Sequence, residues 1–130
     1  MRIAEKKLPG FTLTELLVVL AIIGILLLVA LPNLMPVVSK ARSTEAKQNL
    51  VYIHSLEKSW YMEHSKYSAD LRELGFEIEN KEEALYTYSI TSSGTTFKAT
   101  ATAITDFDND GQINIWEIDE KKNMIEVTPD

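Results

Sequence analysis

The chain has no cysteine, which excludes a disulfide, a thiolate metal site and a thiol nucleophile together. It is short of positive charge: 13 lysines and arginines stand against 19 aspartates and glutamates, for a net charge of −6. An acidic chain is a poor general binder of nucleic acid, so that class of partner is not expected. No Ser/His/Asp constellation or Gly-rich phosphate loop occurs in the 130 residues, which leaves no recognisable catalytic set. The only two histidines, His54 and His64, stand ten residues apart on a helix and do not read as one site. No internal repeat or low-complexity segment is visible.

One long apolar run is present. Between Phe11 and Leu31 the only polar residues are Thr12, Thr14 and Glu15, all at the start. As a helix the run would span about 31 Å, the thickness of a bilayer core. A basic leader, with Arg2, Lys6 and Lys7 against Glu5, meets the run at Lys6-Lys7-Leu8-Pro9-Gly10-Phe11. An ordinary secretory signal carries its cleavage site after the apolar stretch at small residues in an A-x-A arrangement, and Leu28-Val29-Ala30-Leu31-Pro32 has none. Cleavage before the run, after Gly10, would instead remove the leader and keep the apolar segment as an anchor. The leader carries +2 of the total of −6, so the side chains of the remainder sum to −8. Glu15 is anomalous, because an acidic residue deep in a membrane helix costs about 2.5–3.5 kcal/mol. It needs a partner.

Three parts follow from the pattern: a leader at 1–10, an apolar helix at 11–36, and a head at 37–130. Pro32 and Pro36 each remove a backbone donor, which predicts a kink or a locally unwound stretch. From Val37 to about Lys66 apolar residues recur at three- and four-residue spacings (Val38, Ala41, Ala46, Leu50, Ile53, Leu56, Trp60), the pattern of an amphipathic helix. Lys40, Arg42 and Lys47 on that helix are candidates to pair with acidic residues of adjacent subunits. A connection at 67–84 includes one short turn between Ser68 or Asp70 and Gly75. The period then changes to that of strands at Leu85–Thr91 and Thr95–Ile104 around Ser92-Ser93-Gly94, at Ile113–Ile118, and at Met124–Val127. The expected fold is α+β: a long N-terminal helix, apolar in its first half, packed by its amphipathic second half on a small antiparallel sheet at 85–130.

The loop at 106–117, Asp106-Phe107-Asp108-Asn109-Asp110-Gly111-Gln112-Ile113-Asn114-Ile115-Trp116-Glu117, satisfies the EF-hand spacing, with carboxylates at alternate positions and glycine at the sharp turn. The flanks read as strands rather than helices. The expectation is a Ca2+ loop grafted between strands, with Asp106, Asp108 and Asp110 as the firmest ligands, the Gln112 carbonyl next, and Asn114 or Glu117 completing it. The alternative is a solvated turn in which Asn109, Asp110 and Gly111 supply geometry alone. Without a disulfide, such a loop is the candidate staple for a small head.

Lys6-Lys7-Leu8-Pro9-Gly10 followed by Phe11-Thr12-Leu13-Thr14-Glu15-Leu16-Leu17-Val18-Val19-Leu20-Ala21-Ile22-Ile23-Gly24-Ile25-Leu26 resembles the type IV pilins and the pseudopilins of type II secretion. The resemblance covers residues 6–36 and continues more loosely to Tyr67. It implies that a membrane prepilin peptidase cuts after Gly10 and methylates the new amine of Phe11. It also implies that Glu15 pairs with the Phe11 amine of a neighbouring subunit in a homo-oligomeric helical filament. Pro32 would lie where such helices loosen on assembly, a plain kink being the alternative. The precursor would sit in a bacterial inner membrane, be extracted by assembly machinery, and end in a surface pilus or a periplasmic pseudopilus. Calcium in the C-terminal loop likewise resembles the major pseudopilins. A monomeric, membrane-anchored calcium-binding module would account for anchor and loop, but not for Gly10, Phe11 and Glu15.

Overall fold

The computed structural model describes residues 3–130. It places one helix, α1 (Leu13–His64), before four strands, β1 (Tyr86–Ser92), β2 (Phe97–Ala103), β3 (Ile115–Asp119) and β4 (Met124–Thr128). The chain divides into two units, the second beginning at Pro36, and each is described by itself.

The first unit is a leader followed by the apolar part of α1. Residues 3–12 carry no helix. From Leu13 to Leu34 every large apolar side chain is exposed within the chain, because the unit has no second element to cover it. Helix runs uninterrupted through Pro32 and Pro36, so the unwound stretch that the prolines predict is not found. A proline removes one N–H and leaves the rest of the ladder able to form. Asn33 adds a local tie, its Nδ2 donating to the Val29 carbonyl at 3.1 Å. α1 is long and apolar enough to cross a membrane by length and composition.

The second unit packs the rest of α1 on an antiparallel sheet in the order β1-β2-β3-β4. Neighbours in sequence are neighbours in space. β1 and β2 pair from Tyr86↔Ala103 to Ser92↔Phe97, and β2 and β3 from Lys98↔Asp119 to Thr102↔Ile115. A bulge at Ile115/Trp116 shifts the register of β4. Phe97, Ala99, Ala101 and Ala103 alternate along β2 and are buried, and Ala46, Leu50 and Ile53 join them from one stripe of α1. The small alanines on β2 leave room for the helix to approach. Tyr86 and Ile90 of β1, Ile118 of β3, and Tyr67, Leu74, Phe76 and Phe107 from the connections complete the core.

α1 stops two residues before the position expected at Lys66. Ser65 turns to a positive φ of 57° and its N–H closes on the Tyr61 carbonyl at 2.8 Å. Three cations of the helix, Arg42, Lys47 and Lys58, have partners inside the head. Arg42 stacks over the Phe107 ring at 4.9 Å, Lys47 over Trp116 at 4.4 Å, and Lys58 donates to the Tyr67 hydroxyl at 2.8 Å.

Glu57 is the unusual core residue. It is 0% exposed, its Oε2 accepts the Ser68 N–H at 2.9 Å, and its Oε1 is buried without a partner. Burial pushes its carboxyl above the usual carboxylate range, only partly offset by the Ser68 N–H, and nearby Glu73 pushes the same way. A raised folded-state pKa means that the folded head holds this proton more tightly than the unfolded chain. The stabilisation is therefore fully present below the ordinary carboxylate value and is lost as pH rises through the raised one. Unfolding of the wild-type head and Glu57→Gln across that window should show a loss of stability with rising pH in the wild type that the variant lacks. Parallel profiles would remove Glu57 as the source.

Candidate functional site

Two places among the described residues gather chemistry, one in each unit. In the first unit the start of α1 is fixed by a reciprocal pair of hydrogen bonds. The Thr12 hydroxyl accepts the Glu15 N–H at 3.2 Å, and Glu15 Oε2 accepts the Thr12 N–H at 2.8 Å. The Thr12 carbonyl takes the Leu16 N–H at 3.2 Å. Thr12-Leu13-Thr14-Glu15 is thus a capping box, in which two otherwise orphaned donors of a helix N-terminus are satisfied together. Sequence reasoning found Glu15 but missed Thr12, although the pattern Thr-x-x-Glu before an apolar run is its signature. Glu15 has a partner within its own chain before any neighbour arrives. Phe11, just outside the cap, is 90% exposed.

In the second unit the acidic loop lies between β2 and β3 and folds on its own carboxylates. Asp106 accepts the Asn109 and Gly111 N–H groups, both at 2.7 Å, through separate oxygens. Asp108 accepts the Asp110 N–H at 3.1 Å, and Asp110 accepts the Gln112 N–H at 2.7 Å. Asn109 and Gly111 both take positive φ, 61° and 90°, where glycine carries no steric cost. Partial desolvation raises the Asp106 carboxyl, but the Gly111 and Asn109 N–H groups outweigh it and the net shift is downward. Asp108 moves up, through desolvation and then the charges of Asp110 and Asp130.

Carboxylate oxygens of Asp106, Asp108 and Asp130 lie within 4.8 Å of one another. Asp130 is held there from two sides, its Oδ1 accepting the Phe107 N–H at 3.2 Å and its Oδ2 the Ser39 hydroxyl of α1. Nothing in the loop spacing points to a residue so far downstream. Of the six residues expected as ligands, the structure brings Asp106 and Asp108 together, with Asp110 and Gln112 adjacent in the same turn. It takes Asn114 and Glu117 elsewhere. Asn114 is 2% exposed, accepts the Tyr86 hydroxyl at 2.7 Å, and donates to Glu126 at 2.8 Å and the Thr128 carbonyl at 3.0 Å. Glu117 pairs with Lys98 at 3.2 Å on the outer face of the sheet. The reason is the secondary structure after the loop. A helix would bring the twelfth position back to the ion, whereas a strand carries it away at about 3.3 Å per residue.

The histidines form no joint site. His54 Nε2 donates to the Glu120 carbonyl at 3.2 Å, and His64 stacks on Trp60 with ring centres 3.8 Å apart.

A basic leader, a capped apolar helix and a small β head on the same α1 are the parts expected of the type IV pilins and pseudopilins. Comparison with known families agrees. Residues 9–31 match the prokaryotic N-terminal methylation motif, and residues 32–112 match the family described as type IV minor pilin ComP, DNA uptake sequence receptor. The chain belongs to the type IV pilin family. It is 43% identical over 70 residues to the type IV major pilin protein PilA of Myxococcus xanthus, covering 54% of this chain and 32% of that protein. It is 34% identical over 71 residues to the type II secretion system core protein G of Dickeya chrysanthemi, covering 55% of this chain and 46% of that one. The matches thus span less than half the length of either relative.

Proposed function

We propose that the chain is the precursor of a structural subunit of a type IV pilus-like filament. It is cleaved after Gly10 by a prepilin peptidase, methylated at Phe11, and assembled through the apolar part of α1. The observation that carries this reading is the first unit itself. Its apolar side chains are exposed in the isolated chain, a surface that lipid covers in the precursor and neighbouring copies cover in a filament. The work is mechanical rather than catalytic. The subunit waits in the inner membrane until assembly machinery extracts it. The test is intact-mass analysis of filaments sheared from cells, together with electron microscopy. Subunits beginning at N-methylated Phe11 support the reading, and assembled subunits that retain residues 1–10 overturn it.

The runner-up is the major pseudopilin of a type II secretion system, favoured by the relative named core protein G and by an acidic loop in a chain without cysteine. Filaments confined to the periplasm would select it. The matched family, described as a DNA uptake sequence receptor, raises DNA as a partner. The charge of the chain argues against a DNA grip, since Arg42, Lys47 and Lys58 are engaged with aromatic rings in the head.

The acidic loop is proposed to hold Ca2+. The donor set fits a hard cation: three carboxylates converge, and all are oxygen ligands. Asp130 would join the loop residues Asp106 and Asp108, while Asp110 and the Gln112 carbonyl remain ligand candidates from the same turn. Bound calcium would neutralise the mutual repulsion of these groups and tie the region after β4 to the loop. At free calcium 100 times the dissociation constant, linkage contributes about 2.7 kcal/mol, which raises the melting temperature of a small domain by several degrees. Calorimetry of the head from Val37 onward, in calcium and then in excess chelator, should show that shift. Asp108→Ala and Asp130→Asn should lose most of it and Glu117→Gln should retain it. Identical unfolding in calcium and chelator would leave only a solvated turn.

A further inference from the structure

We infer that Thr12 is a positioning residue for leader removal, holding the Gly10–Phe11 peptide bond outside α1, where no helical hydrogen bond takes up its carbonyl. The inference rests on the processing reading above. Hydrolysis adds water across the Gly10–Phe11 amide, leaving a carboxylate on Gly10 and an amine on Phe11. The attacked carbonyl must be reachable. In the structure residues 3–12 are not helical and α1 begins at Leu13. The first carbonyl drawn into the helix is that of Thr12, two residues past the scissile bond.

This start is a choice between two caps. Glycine is about as good an N-cap as threonine, so intrinsic preference does not separate Gly10 from Thr12. An apolar setting presses the helix to lengthen, because unpaired backbone groups are costly there. A helix capped at Gly10 would use the Gly10 carbonyl to accept the Thr14 N–H, burying the scissile bond in its first turn. Its third helical position would be Leu13, which has no side-chain acceptor. The register capped at Thr12 puts Glu15 at that position, and the Glu15 carboxylate returns the bond to the Thr12 N–H at 2.8 Å. The reciprocal pair decides the register. Alanine at position 12 removes the hydroxyl and leaves Gly10 as the better cap.

The experiment follows precursor conversion by intact mass in membranes that contain a prepilin peptidase, using the full chain. Thr12→Ala should slow cleavage about tenfold, the size of a lost cap. Thr12→Ser and Thr12→Asn, both good caps, should restore it, and Thr14→Ala, the same hydroxyl loss outside the cap, should cleave at the wild-type rate. Backbone chemical shifts of the uncleaved chain in micelles should turn helical at Phe11 in Thr12→Ala alone. Wild-type cleavage of Thr12→Ala, or failure of Ser and Asn to rescue it, overturns the inference while the processing reading stands. A wild-type chain left uncut at Gly10–Phe11 overturns both.

Discussion

Gly10→Val is expected to leave the leader attached to nearly every copy and to abolish filaments, while anchor and head remain intact. A Cβ built on Gly10 meets no heavy atom within 4 Å, and Gly10 does not occupy the left-handed region. The chain itself therefore has no objection to a larger side chain there. Any block must arise where the peptidase closes on the scissile bond, and a branched side chain beside the attacked carbonyl is the substitution that most hinders such an approach. Intact mass should show precursor retained in the membrane fraction, and the melting of the head should equal that of the wild type. Efficient cleavage of Gly10→Val would remove glycine as the recognised feature. A destabilised head would mean that the block came from folding, which the open surroundings of Gly10 contradict.

The long periodic features were legible in the sequence, and contacts between distant residues were not. The junction at Gly10, the apolar run, the amphipathic stripe through Ala46, Leu50 and Ile53, and all four strands follow from periodicity and composition, with ends displaced by one or two residues. Helix continues through Pro32 and Pro36, since each deletes one bond from a ladder that neighbouring residues still hold. At the acidic loop the spacing located Asp106 and Asp108. The EF-hand pattern, however, assumes a helix after the loop, and β3 sends Glu117 to Lys98 instead. Asp130 was invisible because its approach depends on the pairing of β3 with β4 and on the Ser39 hydroxyl, neither of which is a local property. Nothing in the local sequence marks Glu57 as buried. Its burial is set by how Ser68 and the following turn close over the end of α1.

Glu15→Ala should give a precursor that inserts and folds but makes few or no filaments. In the proposed filament core the Phe11 amine is a cation in an apolar setting, and Glu15 supplies its anion. Removing one member of a buried ion pair costs about 3–5 kcal/mol, because the other charge is left uncompensated. That is a factor of a hundred or more in association. The capping box complicates the interpretation, since Glu15 Oε2 already accepts the Thr12 N–H within its own chain. Alanine removes both roles at once, and Glu15→Gln separates them. The glutamine amide oxygen still serves the box, as Thr-x-x-Gln does in general, but it carries no charge. If pairing with the Phe11 amine is what assembly requires, Gln and Ala should fail alike, with filament counts by electron microscopy down by well over tenfold at equal subunit levels. Normal assembly of Glu15→Gln beside failure of Glu15→Ala would assign Glu15 to the cap alone. Normal assembly of both would remove it from the filament core chemistry altogether.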